Sequence, residues 1–238
     1  MSSRVYGGAL EVARNDLVLM EAPESTETWK PIRHYDVLEA VEGTLESAGF
    51  RSRTSSLAVS HEDKRFFGVL DIEAAIGDGI SIAVGVRNSN DRKFPIGFCV
   101  GSRVMVCSNL AFSSEIVISK KHTRFGEERF REGIAKAVSS LHQFRTVEAA
   151  RIEKLQRRIL QNHEADSIIL RSGEKGIIGW RQIPKVIAEW REPSHPEFET
   201  RTAYSLLNCF TEVLKPRFRS QPNKAAYETI RLQQLLAI

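Results

Sequence analysis

The chain has 238 residues, of which 42% are hydrophobic and 27% are charged, an ordinary composition for a globular protein that buries its own core. Its apolar stretches are interrupted by Ser, Gly, Arg or Asp far short of the roughly 18 residues that cross a bilayer, which excludes a membrane span. The N-terminus lacks the pattern of a signal peptide, so we expect a cytoplasmic protein. Cys99, Cys107 and Cys209 form no C-x-x-C pair, and we expect them to be core thiols.

The net charge of +4 is unevenly distributed along the chain. Residues 1–50 carry a net charge of −5, whereas residues 120–158 contain 11 basic and 5 acidic residues, a net +6. A dense basic segment is what phosphate binding requires, because each neutralised phosphate releases condensed counterions. The alternative is a solvated helix face with ion pairs such as Glu148 with Arg151.

The N-terminal third begins with a segment that lacks a clear hydrophobic period. Residues 1–33 are acidic and carry Pro23 and Pro31, which indicates an extended, loosely packed lead-in. A helix is predicted over about 35–48, because apolar residues recur there at helical spacing and Asp36 followed by Glu39 resembles a capping box.

A period of two follows and predicts an antiparallel meander. The alternation covers residues 57–59, 66–72, 80–86 and 94–100, and turn residues occupy 61–64, 77–79 and 88–93. The Gly-Ser pair at 101–102 is predicted to close a further tight hairpin. The apolar segment 103–119 blurs the alternation, so two more strands or a short helix both remain open.

The remaining residues are predicted to be helical. A helix of about 35 residues follows Thr123, with a potential break at residues 145–146, and the glycines of 172–176 end this region. A short helix opens at Pro184, another covers about 200–215 and stops at Pro216, and a last one starts at about 223. The fold class is therefore α+β: an antiparallel β-meander packed with a long helix (residues 34–162), followed by a helical C-terminal region (163–238).

No motif for catalysis or metal binding is present in the sequence. SGEKGIIGW (172–180) has its glycines and lysine in the wrong order for a P-loop, and the six histidines are isolated. Glu62-Asp63 and Asp71-x-Glu73 are interpreted as solvated acids rather than magnesium ligands. A triad that converges only in space is not excluded, but no cofactor or metal is predicted.

One constellation of polar residues interrupts the apolar segments. It comprises residues 87–91 (RNSND), Arg103, Asn109 and residues 120–123 (KKHT). One interpretation is a basic groove where sheet and helix meet. The other is turn chemistry at 88–90, a helix entry at 122–123 and a paired Arg103.

At these positions the chain resembles a large family of uncharacterised phage- and plasmid-encoded proteins, classed only as a domain of unknown function. VRNSND (86–91) resembles the family's T-N-S-H-D-G, GSRVMVCSNLAF (101–112) resembles P-V-R-V-V-C-Q-N-T-L, KKHT resembles R-H-T, and AYSLLNCFTEVL (203–214) resembles a helix with N-A-x-T-E-Y. Asn90 replaces the usual His and Arg92 the usual Gly. The residues that the resemblance carries over are Asn88, Ser89, Asp91, Arg103, Val104, Cys107, Asn109, His122, Thr123, Asn208, Thr211 and Glu212.

The order of helix, antiparallel strands and long basic helix is similar to the core of single-strand annealing proteins. That similarity implies an oligomer that binds single-stranded DNA in a basic groove, as a fold-level analogy. We therefore expect a non-catalytic single-stranded DNA-binding or annealing protein of a phage or plasmid, and a homo-oligomer. The rivals are a protein-interaction module, such as an inhibitor of host defence, and an enzyme such as a nuclease. The candidate nucleic-acid-binding residues are Arg87, Asn88, Arg103, Lys120, Lys121, His122, Arg124, Arg151, Lys154, Arg157 and Arg158.

Overall fold

A seven-stranded antiparallel sheet, in which each strand pairs with the next along the chain, forms the framework of the protein. The computed structural model describes residues 4–5, 9–77, 79–104, 110–220 and 222–236. Because each strand pairs antiparallel with the next along the chain, the predicted meander is confirmed. The strands are β1 (Arg4–Val5), β2 (Ala9–Glu11), β3 (Ser52–Ser60), β4 (Arg65–Gly77), β5 (Ile80–Ser89), β6 (Ile96–Val104) and β7 (Leu110–Lys120).

The helices that the structure describes fall before the sheet strands β3–β7 or after them. They are α1 (Arg14–Val18), α2 (His34–Ser47), α3 (Gly126–Ser139), α4 (Leu141–Arg157), α5 (Asn162–Glu174), α6 (Ile183–Arg191), α7 (Ala203–Ser220) and α8 (Pro222–Leu236). This order confirms the α+β class with a helical C-terminal region. Within the described part of the chain, no helix combines the length and apolar character needed to cross a membrane.

Side chains alternate between two different faces of the sheet. On β5, Ile82 and Val84 are fully buried among helix residues, and their cross-strand neighbours Leu70 and Val100 share that core. The positions between them carry small or polar residues and form the opposite face, on which Phe67, Val69 and Cys99 are partly exposed. One face therefore packs against helices, as the period of two predicts.

The segment around residues 101–119 departs from the hairpin prediction. β6 continues through Gly101 and Ser102 to Val104, so the predicted tight hairpin at 101–102 is wrong. The pairing of β6 with β7 is irregular between Cys99 and Gly101, a position where a glycine inside a strand commonly marks a bulge. Residues 110–120 form a single strand, so of the two alternatives for segment 103–119, strand and helix, a strand is observed over most of its length.

Three details of the helices also differ from prediction. The long basic helix is divided at Ser140 rather than at 145–146, and Ser140 is the residue between the end of α3 and the start of α4. Pro216 lies inside α7 instead of ending it, because α8 packs against α7 and Arg217 pairs with Glu228 across them. The residue preceding α2 is Arg33, which makes no capping bond, so the predicted capping box does not form.

The N-terminal segment contributes to the core. β2 pairs with β3, and Leu17 of α1 is fully buried against the same hydrophobic cluster as Leu38 and Leu232. Arg14 is ion-paired with Glu42 of α2 at 2.5 Å. The expectation that residues 1–33 pack loosely is therefore wrong at Leu17.

Candidate nucleic-acid interface

The basic helix α4, predicted to carry phosphate contacts, has most of its charge engaged within the protein. Arg151 donates twice to the carboxylate of Glu148, whose side chain is only 3% exposed, and Nε lies 2.8 Å from Oε2. Arg157 is paired with Glu153, and Arg158 donates to the carbonyl of Leu236 at 2.8 Å. Lys154 is exposed. Arg151 and Arg158 are thus held in structural contacts, which a sequence pattern alone does not distinguish from free cations.

Asn88 lies inside the protein at the end of β5. Its side chain is fully buried, and its amide nitrogen donates to the carbonyl of Ile32 at 2.7 Å and to Nδ1 of His34 at 2.9 Å. Nε2 of His34 in turn donates to the carbonyl of Asp63 at 2.8 Å. These bonds join the start of α2 to the sheet and to the turn at 61–64, so Asn88 acts as a structural link.

His122 lies beneath the surface that leads into α3. It is 5% exposed, and neither ring nitrogen has a hydrogen-bond partner among the described residues. Burial, with a smaller contribution from His34, lowers the pKa of His122 to about 4, so the ring is neutral near pH 7. A buried neutral imidazole does not neutralise a phosphate. Lys121 and Arg124 on either side of it are exposed.

The connection between β7 and α3, which carries Lys121 and Arg124, is a tight backbone turn. The amide of Gly126 donates to the carbonyl of Thr123 at 2.8 Å, and that of Thr123 donates to the carbonyl of Lys121 at 2.9 Å. A Cβ at position 126 would lie 2.2 Å from the Lys121 carbonyl oxygen, so only glycine fits there. Lys121 and Arg124 therefore both lie in the tight connection that precedes α3, and both are exposed.

Phe125 lies at the centre of these cations. Its side chain is 50% exposed, and the guanidinium carbons of Arg124 and Arg129 lie 5.5 and 6.0 Å from the ring centroid. Both distances fall within the range of a cation–π contact. An exposed aromatic ring beside cations offers a planar surface on which a base can stack.

A second aromatic ring adjoins the same connection. The amide of Lys30 donates to the carbonyl of His122 at 3.0 Å, which places the loop containing Trp29 beside it. The guanidinium of Arg92, from the β5–β6 turn, lies 4.5 Å from the Trp29 centroid. We call this surface the basic rim; its members are Trp29, Lys30, Arg92, Lys121, Arg124, Phe125 and Arg129.

Most members of the basic rim were missed in the sequence. Trp29 and Lys30 are about 90 residues from Lys121 along the chain, and only folding brings them together. Arg92 has a φ of 63°, in the left-handed region that favours glycine, at the position where the resembling family carries Gly. The turn is therefore retained despite the substitution. Phe125 lies between Arg124 and Arg129 along the chain, and this pattern of an aromatic residue among arginines can be recognised in the sequence.

Two of the predicted arginines lie on the sheet face that faces away from the helices. Arg87 is half-buried, and its guanidinium lies 5.6 Å from the ring centroid of Phe94. Arg103 lies 3.9 Å from a carboxylate oxygen of Asp71, which also accepts a bond from Ser81. Lys120 is half-buried at the end of β7. The paired alternative for Arg103 is thus the one observed, and Asp71 is a buried structural acid.

The helix that resembles the family's N-A-x-T-E-Y segment lines a small cleft. Asn208, Thr211 and Tyr204 of α7 face Ser102 of β6 and Arg151 of α4 there. The amide of Asn208 donates to the carbonyl of Tyr204 at 3.0 Å, and the Thr211 hydroxyl donates to the carbonyl of Asn208. These bonds within α7 give Asn208 a structural role.

The described residues provide neither a metal cluster nor a reactive thiol. No group of three or more His, Cys, Asp or Glu side chains lies within range of a common ion in the described ranges. Cys209 is buried, Cys99 is partly exposed, and desolvation raises the pKa of each to about 12, so both are protonated thiols. Cys107 and Asn109 lie outside the described residues.

Comparison with known proteins identifies one relationship. A family model described as "Domain of unknown function (DUF932)" matches residues 24–236, which is most of the chain and includes every residue of the basic rim. No curated protein and no solved structure matches the chain.

Proposed function

We propose that this chain, which belongs to the DUF932 family of domains of unknown function, binds single-stranded DNA on the basic rim without catalysing a reaction on it. The observation that carries the proposal is the presence of three arginines over two aromatic rings, Trp29 and Phe125, on two segments that the backbone bond from Lys30 to His122 joins. In a phage or plasmid setting, such an activity would serve replication or recombination.

The charges of the basic rim favour a polyanion. Among the described contacts, Lys121, Arg124 and Arg129 pair with no carboxylate, and the nearby Glu127 is bonded to Arg131 at 2.9 Å. Glu128 is exposed and reduces the local positive charge by one unit. Cations that are not neutralised within the protein release counterions from the nucleic acid when they bind its phosphates.

The aromatic rings favour an unpaired strand over a duplex. The ring of Phe125 is half exposed, and a base can stack on it only when that base is free of a complementary partner. Arginine guanidinium groups that lie over the rings of Trp29 and Phe125 add planar surfaces of the same kind. Cations together with stacking surfaces are the combination found in single-strand binding sites.

The proposal is tested by fluorescence anisotropy of labelled oligo-dT across a salt series. Each phosphate contact adds about 0.7 to the slope of log affinity against log salt, so replacing Lys121, Arg124 and Arg129 by Gln should lower the slope by up to about 2. Phe125→Ala should weaken binding by about 5- to 150-fold with little change of slope, because stacking carries no charge.

A matched control removes three exposed cations of α3 and α4 that lie outside the rim. The triple variant Lys136→Gln, Arg145→Gln and Lys154→Gln loses the same charge and should retain affinity within about threefold, apart from a weak long-range effect. Equal losses in the two triple variants would reject the rim as the site. If the wild-type protein shows no salt-sensitive binding to any oligonucleotide, the proposal fails and a protein-interaction role takes its place.

A further inference from the structure

The sheet face away from the helices carries an aromatic and cationic cluster beside the β5–β6 turn. Phe67 of β4 and Arg87 of β5 are directly opposite each other across the two strands. The rings of Phe67 and Phe94 lie 5.3 Å apart, and Arg87 lies over the Phe94 ring. We call these three residues the Arg87 cluster; each is partly exposed.

Arg87 crosses the face of the next strand instead of extending into solvent. A Cβ added to Gly97, its partner on β6, would lie 2.6 Å from Nε of Arg87 and 3.1 Å from Cγ. The side chain therefore lies across Gly97, which has no side chain to obstruct it. One face of the guanidinium lies over the ring of Phe94.

The charge of Arg87 is not compensated by a carboxylate among the described residues. Its Nε is buried with no hydrogen-bond partner, and burial lowers the pKa of the guanidinium. Asp71 and Asp91 are engaged elsewhere, since Asp71 accepts from Ser81 and lies near Arg103, and Asp91 accepts from Arg65 at 2.7 Å. A partly desolvated arginine of this kind gains most from an anion or a planar ring.

The cluster is connected to the basic rim by the β5–β6 turn. Arg92 contacts Trp29 in the rim, and Phe94, two residues further along, belongs to the Arg87 cluster. The β5–β6 turn therefore joins the two surfaces through Arg92 and Phe94.

We infer that the Arg87 cluster is a nucleotide subsite, in which the guanidinium of Arg87 takes a phosphate and the ring of Phe67 takes an unpaired base. The inference rests on the proposed function, because it extends the bound strand from the basic rim onto the sheet. A strand that covers both surfaces is longer than one that covers the rim alone.

The test combines oligonucleotide length with a steric variant. Gly97→Ala displaces Arg87 without changing charge, and Arg87→Gln removes the charge. Gly77→Ala of β4, where nothing lies within 4 Å of an added Cβ, is the matched glycine control. Affinity is measured for oligo-dT of about 4 and about 16 nucleotides, which span the range of single-strand site sizes. Melting temperatures of all variants show whether each is folded.

The expected result is that Gly97→Ala and Arg87→Gln bind the long oligonucleotide about tenfold more weakly than the wild type, while binding of the short one and the Gly77→Ala control is unchanged. If the wild type binds and both variants bind both lengths equally well, the subsite is rejected and the rim proposal stands. If the wild type binds neither length, both proposals are rejected. If Gly97→Ala does not fold, Arg87→Gln together with Phe67→Ala decides between these results.

Discussion

At the scale of single residues, the polar positions shared with the resembling family divide between structural and exposed roles. Asn88 and His122 are buried and connect the start of α2 with the ends of β5 and β7. Lys121 and Arg124, their exposed neighbours in sequence or space, are the residues available to a ligand. Buried polar groups are stabilised by bonds that replace water, as those of Asn88 to Ile32 and His34 do, so Asn88 constrains the fold near the rim.

The buried histidines make stability depend on pH. Burial holds the pKa of His122 near 4 in the folded protein and also lowers the pKa of His34, against about 6.5 in an unfolded chain. The stability that the neutral form of His122 provides is therefore fully present above pH 6.5 and is lost as pH falls towards 4. For His122 the free energy of unfolding falls by about 3 kcal/mol, an order-of-magnitude value that follows from the shift in its pKa.

This prediction is checked by urea unfolding between about pH 7.5 and pH 4.5. His122→Gln should flatten the decline relative to the wild type, because glutamine does not titrate, and His163→Gln at an exposed position of α5 should not. Carboxylates titrate equally in all three proteins, so the difference isolates His122. A decline of the same steepness in His122→Gln and the wild type contradicts the assignment.

At the scale of elements, the contact of α3 with β7 depends on a glycine inside a helix. A Cβ on Gly133 would lie 2.9 Å from Cγ2 of Ile118, so α3 approaches the strand as closely as it does because this position lacks a side chain. Gly43 of α2 has nothing within 4 Å of an added Cβ. The close approach of α3 to β7 therefore requires glycine at position 133, whereas no neighbour restricts position 43.

The corresponding substitutions should change stability in opposite directions. Gly43→Ala should raise the free energy of unfolding by about 0.5–1 kcal/mol, because alanine has the higher helix propensity and meets no neighbour. Gly133→Ala should lower it by about 1 kcal/mol or more, since Ile118 must move. Chemical denaturation of the two variants measures both values, and equal stabilisation by both would show that α3 can shift away from β7 at no cost.

At the scale of the whole molecule, the N-terminal segment belongs to the single hydrophobic core. Leu17 is fully buried, whereas Leu19, two residues later, is 81% exposed. Leu17→Ala should therefore lower the free energy of unfolding by about 3 kcal/mol through the loss of buried contacts and the cavity that remains. Leu19→Ala should change it by less than about 0.5 kcal/mol. A small effect at Leu17 in urea unfolding would mean that α1 folds independently of the core.

The sequence by itself determined the class of fold and the order of its elements. Alternation along β3–β5 and the helical spacing of Val37, Leu38 and Val41 follow from which side chains must leave water, and this demand is local. The turn at 61–64 and the break in helical pattern at the end of α5 are local in the same way. The basic excess of residues 120–158 was also visible, and it includes Lys121 and Arg124, which the structure shows to be exposed.

Only the tertiary structure decided which of these charges are free and which residues share a surface. Glu148 neutralises Arg151 three residues away, although the sequence equally allows both side chains to be solvated. The ion pair forms because Glu148 is buried. Trp29 reaches Arg92 only because the chain between them forms α2 and β3–β5, and Lys30 reaches His122 only because the chain between them forms α2 and β3–β7. Contacts between distant segments depend on how layers pack, and local periodicity does not contain that information.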